Sequence, residues 1–310
     1  MTTMQIGFGA PVSGAWATPQ NLAAFATRAE AAGYASFWSF QRLLIPQDKA
    51  AGMEPVYHSV LDPMAALAYA AAVTSRIRLG VAVINTPYVS PAYLAKQAAS
   101  LDVLSGGRHD LGLGIGWMPE EFTLTGASMP RRGARTAEYV EVLRNLWADG
   151  VSEHSGEFYT VPRGMMAPKP VQPGGPPVLL GGMARPALER AGRIADGWLT
   201  SSRTDLASIG DGIGVVRAAA SEAGRDPGQL RIICRGVVRA GAEAHGPDGG
   251  RLPLSGGYDQ IRADTEWLAG QGVTEIFYDL NWDPQVGAPD ADPAAATARA
   301  TEILDALAPG

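Results

Sequence analysis

Eight short apolar runs, none alternating strictly with polar residues and each followed by a helical pattern, constrain this chain more than any other feature. They are Ile6 to Phe8, Ser36 to Phe40, Ile77 to Ile84, Leu111 to Ile115, Val178 to Leu180, Gly197 to Leu199, Leu230 to Val238 and Ile276 to Leu280. A strand that is apolar on both faces has no side to offer water, so it belongs in a parallel sheet covered by helices. Eight of them in regular alternation with helices predict an α/β fold closed into a (β/α)8 TIM barrel, rather than an open sheet. The 310 residues suit one such barrel, so residues 1–310 are expected to form a single domain.

Four helix starts are written in the same way, with a capping residue before a proline: Thr18 and Pro19, Asp62 and Pro63, Ser90 and Pro91, Asp292 and Pro293. The cap oxygen satisfies a free N–H of the first turn, and proline has no N–H there to lose. After Thr18, Leu22, Phe25, Ala26 and Ala29 keep helical spacing until Gly33, and Tyr139, Val142, Leu143 and Leu146 do so before Gly150. Two stretches break the alternation and are expected to be insertions. Residues 153–176 should contain a short hairpin around Glu157 to Val161, and residues 241–257, rich in glycine and charge, should form a mobile loop.

A net charge of −6 gives no basic face for nucleic acid or an anionic membrane. The apolar stretches, such as Met64 to Val73, are too short to span a bilayer. Cys234 is the single cysteine, which excludes an intrachain disulfide and a thiolate zinc cluster, and no His and carboxylate group has metal-ligand spacing. The strand pattern begins at Met4, leaving no signal-peptide pattern, so a cytoplasmic protein is expected.

In this architecture the loops after the strands carry the chemistry. The run Leu111, Gly112, Leu113, Gly114, Ile115, Gly116, Trp117 sets three glycines on one face of a strand. A bare face admits a large planar ligand or the close approach of another backbone; a tight barrel interior is the alternative. It is no dinucleotide fingerprint, because Pro119 stands where a helix would have to open. Gly181 and Gly182 end the fifth run just before a helix and expose backbone N–H groups suited to phosphate, to which Ser201, Ser202 and Arg203 add hydroxyls and a guanidinium. Ordinary helix capping at each place is the competing explanation.

The sequence resembles the luciferase-like family from Met4 to about Leu280. The resemblance is carried by Arg78, Leu79, Gly80, then Pro91 to Gln97, then Leu101, Asp102, Leu104, Ser105, Gly106, Gly107, Arg108, then Gly112 to Trp117. Arg132, Arg135, Glu138, Leu143 and Trp147, the pair Gly181 and Gly182, and Ala195 to Trp198 extend it. It looks closest to actinobacterial members that use the deazaflavin coenzyme F420, with Gln41, Arg42 and Leu43 after the second strand. The resemblance implies a redox ring across the barrel mouth, supported by a bulge with a non-proline cis peptide after the third strand, here joining Ala82 to Val83. It further implies that Phe40, Ala82, Val83, Asn85, Ile115, Gly116, Trp117, Gly181, Gly182, Trp198, Ser201, Ser202 and Arg203 flank the coenzyme, and it implies a homodimer.

The chain departs from many deazaflavin-dependent relatives in one respect. They carry an acidic residue and a histidine after the second strand, where this chain has Gln41 and Arg42, and Trp117 replaces the glutamate of the sugar-phosphate dehydrogenase branch. The remaining catalytic candidates are Gln41, Arg42 as a substrate or coenzyme contact, Glu120 or Glu121 as a general acid, and His58 as a proton shuttle. Trp38, Phe40, Trp117 and Trp198 are candidate aromatic walls. The implied activity is hydride transfer between F420 and a small organic substrate, reducing a C=C, C=N or C=O group. An FMN-dependent monooxygenase and a catalytically silent flavin-binding protein are the alternatives. Substrate choice is expected to lie in the insertions at Lys49 to Tyr57, 153–176 and 241–257.

Overall fold

A computed structural model describes residues 4–246 and 249–309. The strands are β1 (Gln5–Gly9), β2 (Ser36–Ser39), β3 (Arg78–Asn85), β4 (His109–Gly114), β5 (Val178–Gly181), β6 (Gly197–Leu199), β7 (Arg231–Val237) and β8 (Glu275–Asp279). Each pairs in parallel with the next, and β1 pairs with β8, closing an eight-stranded barrel as expected from the apolar runs.

Around it lie α1 (Pro19–Ala31), α2 (Pro63–Val73), α3 (Pro91–Ser105), α4 (Pro119–Thr125), α5 (Arg132–Trp147), α6 (Arg185–Ile194), α7 (Ile209–Glu222), α8 (Tyr258–Gly270) and α9 (Pro293–Ala306). All four cap and proline pairs open helices. Thr18 accepts the N–H of Asn21 at 3.1 Å, Asp62 that of Ala65 at 2.9 Å, Ser90 that of Tyr93 at 3.2 Å and Asp292 that of Ala295 at 2.8 Å. No helix among the described residues is long and apolar enough to cross a membrane.

The barrel interior is layered. At its N-terminal end the fully buried Asp110 accepts hydrogen bonds from Arg78 (2.6 and 2.8 Å) and Arg231 (2.7 and 3.1 Å), and Arg231 also reaches Glu275 at 2.7 Å. Burial alone would raise the Asp110 pKa, but the two guanidiniums outweigh it and hold the carboxyl below its ordinary range. Above this polar plug, Trp38 stacks on Phe277 at 5.1 Å, within an apolar layer formed with Ala82, Leu179, Leu199 and Ile233. The barrel is therefore a filled core, and an accessible site is left at the C-terminal end.

The two expected insertions have structures of their own. Ser152–Ser155 pairs antiparallel with Thr160–Gly164, so Glu157 lies in the turn of the hairpin. Glu138 fastens that turn by accepting the N–H groups of Glu157, Phe158 and Tyr159 at 3.0, 2.9 and 2.7 Å. In the stretch 241–257, of which residues 247 and 248 lie outside the described residues, Arg239–Ala240 pairs with Ser255–Gly256, and Asp264 of α8 accepts from Arg251 and from the N–H of Leu254.

Candidate active site

The site originates in a defect in β3. Between β3 and β4, Val81 pairs with Leu111 but Ile84 pairs with Leu113, so β3 carries one extra residue over that interval. The bulge holds the cis peptide between Ala82 and Val83, inside β3 and not after it. It accounts for the glycines of β4. A Cβ on Gly112 would run into the Val81 carbonyl oxygen, and one on Gly114 would lie 2.6 Å from Val83 Cγ2 and 2.8 Å from Asn85 Oδ1. The bare face of β4 is thus filled by the neighbouring strand, and the space it creates is taken by the Val83 side chain.

Val83 forms part of the wall of a cavity of about 360 Å³, lined by residues from the ends of most strands. Phe40, Gln41, Arg42, Ala82, Val83, Asn85, Ile115, Gly116, Trp117, Gly181, Gly182, Ser201, Ser202 and Arg203, all singled out in the sequence, line it. Asn85 organises one wall. Its N–H donates to Gln41 Oε1 at 3.0 Å, and its Oδ1 accepts the Gly116 N–H at 3.0 Å. On another wall, Gly182 has φ +150, where an added Cβ would meet Ala187 Cβ at 2.5 Å.

Five expected residues, Trp198, His58, Glu121, Glu120 and Trp38, sit elsewhere. Trp198 is buried behind the wall and donates Nε1–H to the Gly182 carbonyl at 2.9 Å. His58 is exposed and does not line the cavity. Glu121 is neither a solvated loop carboxylate nor a lining residue. It accepts the Leu43 N–H at 2.8 Å and the Leu44 N–H at 3.4 Å, and pairs with Arg42 Nη1 at 3.0 Å, with the two side chains only 3% and 6% exposed. Glu120, by contrast, pairs with Lys49 at the surface. Arg42 is wedged between Tyr57 and Trp117, its Cζ 4.5 and 4.9 Å from their ring centres. Trp38 lies below, in the barrel core.

Sequence reasoning missed Arg235. Its guanidinium lines the cavity, with Nε donating to Asp279 Oδ2 at 2.7 Å and Nη1 to the Ala82 carbonyl at 3.2 Å. Its signal was present, because an arginine inside the apolar run Leu230 to Val238 has to bury a charge, and such a charge needs a partner. Of the three insertions expected to select substrate, only the first contributes among the described residues, through Tyr57.

The described lining contains three arginines and no Asp, Glu or His. Two of them are balanced from behind the wall, Arg42 by Glu121 and Arg235 by Asp279, so the positive charge without a carboxylate partner among the described residues is that of Arg203. The cavity also offers a flat apolar surface at Ala82, Val83 and Leu199.

The protein-family model that describes luciferase-like monooxygenases matches residues 2–246. An uncharacterised protein of Mycobacterium tuberculosis is 40% identical over 163 residues, covering 52% of this chain and 55% of its own length. A pyrimidine monooxygenase of Allorhizobium ampelinum is 31% identical over 184 residues, 56% of this chain and 48% of that one. The chain thus spans about half the length of these curated relatives. Among solved structures, the coenzyme F420-dependent tetrahydromethanopterin reductase of Methanopyrus kandleri superposes with a TM-score of 0.77 at 18% identity, over 99% of this chain and 98% of that one. A closed parallel barrel, a bulged third strand, a cavity at its C-terminal mouth and a family match over most of its length agree: this chain belongs to the luciferase-like monooxygenase family.

Proposed function

We propose that the protein is an F420-dependent oxidoreductase that transfers a hydride between the deazaflavin and a small organic substrate bearing a polarised C=C, C=N or C=O bond. The observation that carries this reading is the meeting, in one cavity, of an apolar pedestal at Ala82 and Val83 with an anion-binding corner at Gly181, Gly182, Ser201, Ser202 and Arg203. The residues fit such a group. The missing Cβ at Gly181, which would stand 3.3 Å from Val83 Cγ1, keeps the floor beside the pedestal open. Arg203 has no carboxylate partner among the described residues, and it stacks only on Trp117, 5.7 Å from the ring centre.

When bound, F420 supplies the hydride, and carbon in place of nitrogen at its reactive ring position largely removes reactivity with oxygen. The chain's own work is to hold a ring flat on Val83, to anchor a phosphate at the glycine corner, and to keep water away from the reacting face. Gln41 contributes a donor: its Oε1 is engaged by Asn85, leaving the Nε2–H2 group to face the cavity. Glu121, committed to Arg42 and two backbone amides, is a positioning residue for the loop after β2. The described lining contains no carboxylate or imidazole, and its hydroxyl groups are those of Tyr57, Thr200, Ser201 and Ser202.

The second reading, an FMN-dependent monooxygenase, is favoured by the identity with the pyrimidine monooxygenase. Titration of the purified protein with F420 and with FMN, monitored by the quenching of tryptophan fluorescence, separates the two. Tight binding of F420 with no oxygen uptake by the reduced complex supports the reductase. Selective FMN binding with oxygen uptake overturns it in favour of the monooxygenase.

A further inference from the structure

Arg235 is held in an unusual way. A carboxylate facing a guanidinium normally takes two parallel hydrogen bonds, one to each oxygen. Here Asp279 offers only Oδ2, because its Oδ1 already accepts the backbone N–H of Asn281 at 3.0 Å and the Asn281 side-chain amide at 2.8 Å. Asn281 is itself locked, donating to the Ala10 carbonyl at 2.9 Å and accepting the Ser13 N–H at 3.2 Å. Asp279 therefore cannot swing to engage the guanidinium fully. Arg235 Nε goes to Asp279 and Nη1 to the Ala82 carbonyl, and Nη2 has no protein partner among the described residues.

This side chain is only 9% exposed, and its exposure is to the cavity. It cannot turn outward to water, since its plane is fixed over Trp282, 3.9 Å from the ring centre, and beside Phe40 at 4.8 Å. The surrounding walls are apolar at Phe40, Val83 and Leu199, with Gln41 and the hydroxyl residues Tyr57 and Thr200 also in the lining. Arg42, likewise ion-paired, with Glu121, is sandwiched between the rings of Tyr57 and Trp117.

We propose that Arg235 is the anion anchor of the substrate, and that the substrates of this chain are small carboxylates on a flat apolar body. The free Nη2–H2 takes one carboxylate oxygen, and Phe40 and Leu199 cover the body. The proposal rests on the oxidoreductase reading above and places the substrate at Arg235 of β7, between Phe40 and Leu199.

The test uses matched pairs, each an acid with its methyl ester: crotonate, benzoate and cinnamate. Binding to the F420-loaded protein is measured by tryptophan quenching, and the F420 affinity is measured on the same samples. A hydrogen bond to a charged group is worth about 10- to 100-fold in affinity, so the acids should bind at least ~10-fold more tightly than their esters. Arg235→Lys, whose single ammonium keeps the charge but cannot bond Asp279, the Ala82 carbonyl and a carboxylate at once as the planar fork does, should erase most of that preference. No preference for acid over ester in any pair, measured on the wild-type protein, overturns the proposal whether or not the variant folds. Loss of F420 affinity in Arg235→Lys with the acid preference intact also overturns it, by moving Arg235 to the cofactor. Failure of the wild-type protein to bind F420, with the acid preference present, overturns the cofactor reading and leaves the anchor standing.

Discussion

Replacing Glu121 by Gln tests whether this carboxylate acts as a general acid or as the clamp of the loop after β2. Its ion pair with Arg42 is 3.0 Å long and its side chain 3% exposed, so the charge on Arg42 is left buried when the partner is neutralised. Breaking a buried pair from one side costs about 3–5 kcal/mol. The glutamine oxygen can still accept the Leu43 N–H, now 2.8 Å from Glu121, so the lower half of that range is expected. Unfolding entropy near 2.1 cal/mol/K per residue gives about 0.65 kcal/mol/K for 310 residues, so the melting temperature should fall by about 5–8 °C at the full cost. Truncation to Ala, which also strands the Leu43 and Leu44 amides, should reach that limit. The assay is calorimetry together with turnover at saturating substrate. A general acid would behave in the opposite way, with Glu121→Gln keeping its melting temperature and losing turnover by orders of magnitude. That result would refute the clamp.

The glycines of β4 give a graded pair. Gly112→Ala puts a methyl group against the Val81 carbonyl, a backbone atom of the barrel wall, and should yield little soluble protein; Gly114→Ala presses on the movable Val83 side chain at 2.6 Å and should fold, with cofactor affinity down about 10-fold or more, read by titration. Equal expression of the two variants contradicts this account. For pH, the Glu30 carboxylate is raised by burial but lowered further by the N–H groups of Ser75, Arg76 and Ile77, to about 2 from an ordinary 4.5. A depressed folded-state value means that its contribution is full above 4.5 and is lost as pH falls through about 2, so the melting-temperature gap between wild type and Glu30→Gln should close over that interval. A gap that is constant with pH would show that the amides do not stabilise the charge. Finally, Cys234 is fully buried, and burial, partly offset by a hydrogen bond with Thr200, pushes its thiol up to about 12. Labelling by a thiol reagent should therefore proceed at the rate of global unfolding; rapid labelling of the native protein would contradict that burial.

The barrel was legible because its determinants are local. Each strand run is apolar on both faces, and each cap and proline pair opens a helix through contacts three residues apart, so the composition of a short window suffices. The site was legible in part for the same reason. Glycines and hydroxyls at the C-terminal ends of the apolar runs occupy the positions that face a barrel mouth, and most of the residues chosen by that criterion do line the cavity.

What the sequence by itself determined is therefore the closed barrel, the end of it that holds the cavity, and the family. The tertiary structure decided which side chains share a cavity, because that depends on register across strands distant in sequence. Only the pairing of β3 with β4 shows that Gly112 makes room for the Val81 carbonyl and Gly114 for the Val83 side chain. Glu121 looked available in the sequence and is used up 78 residues away at Leu43, whereas Arg235, passed over in the sequence, keeps a donor free, because Asn281 occupies the far oxygen of Asp279. A hydrogen-bonding group has a fixed number of bonds to give, and how many remain for a ligand is known only once every neighbour is in place.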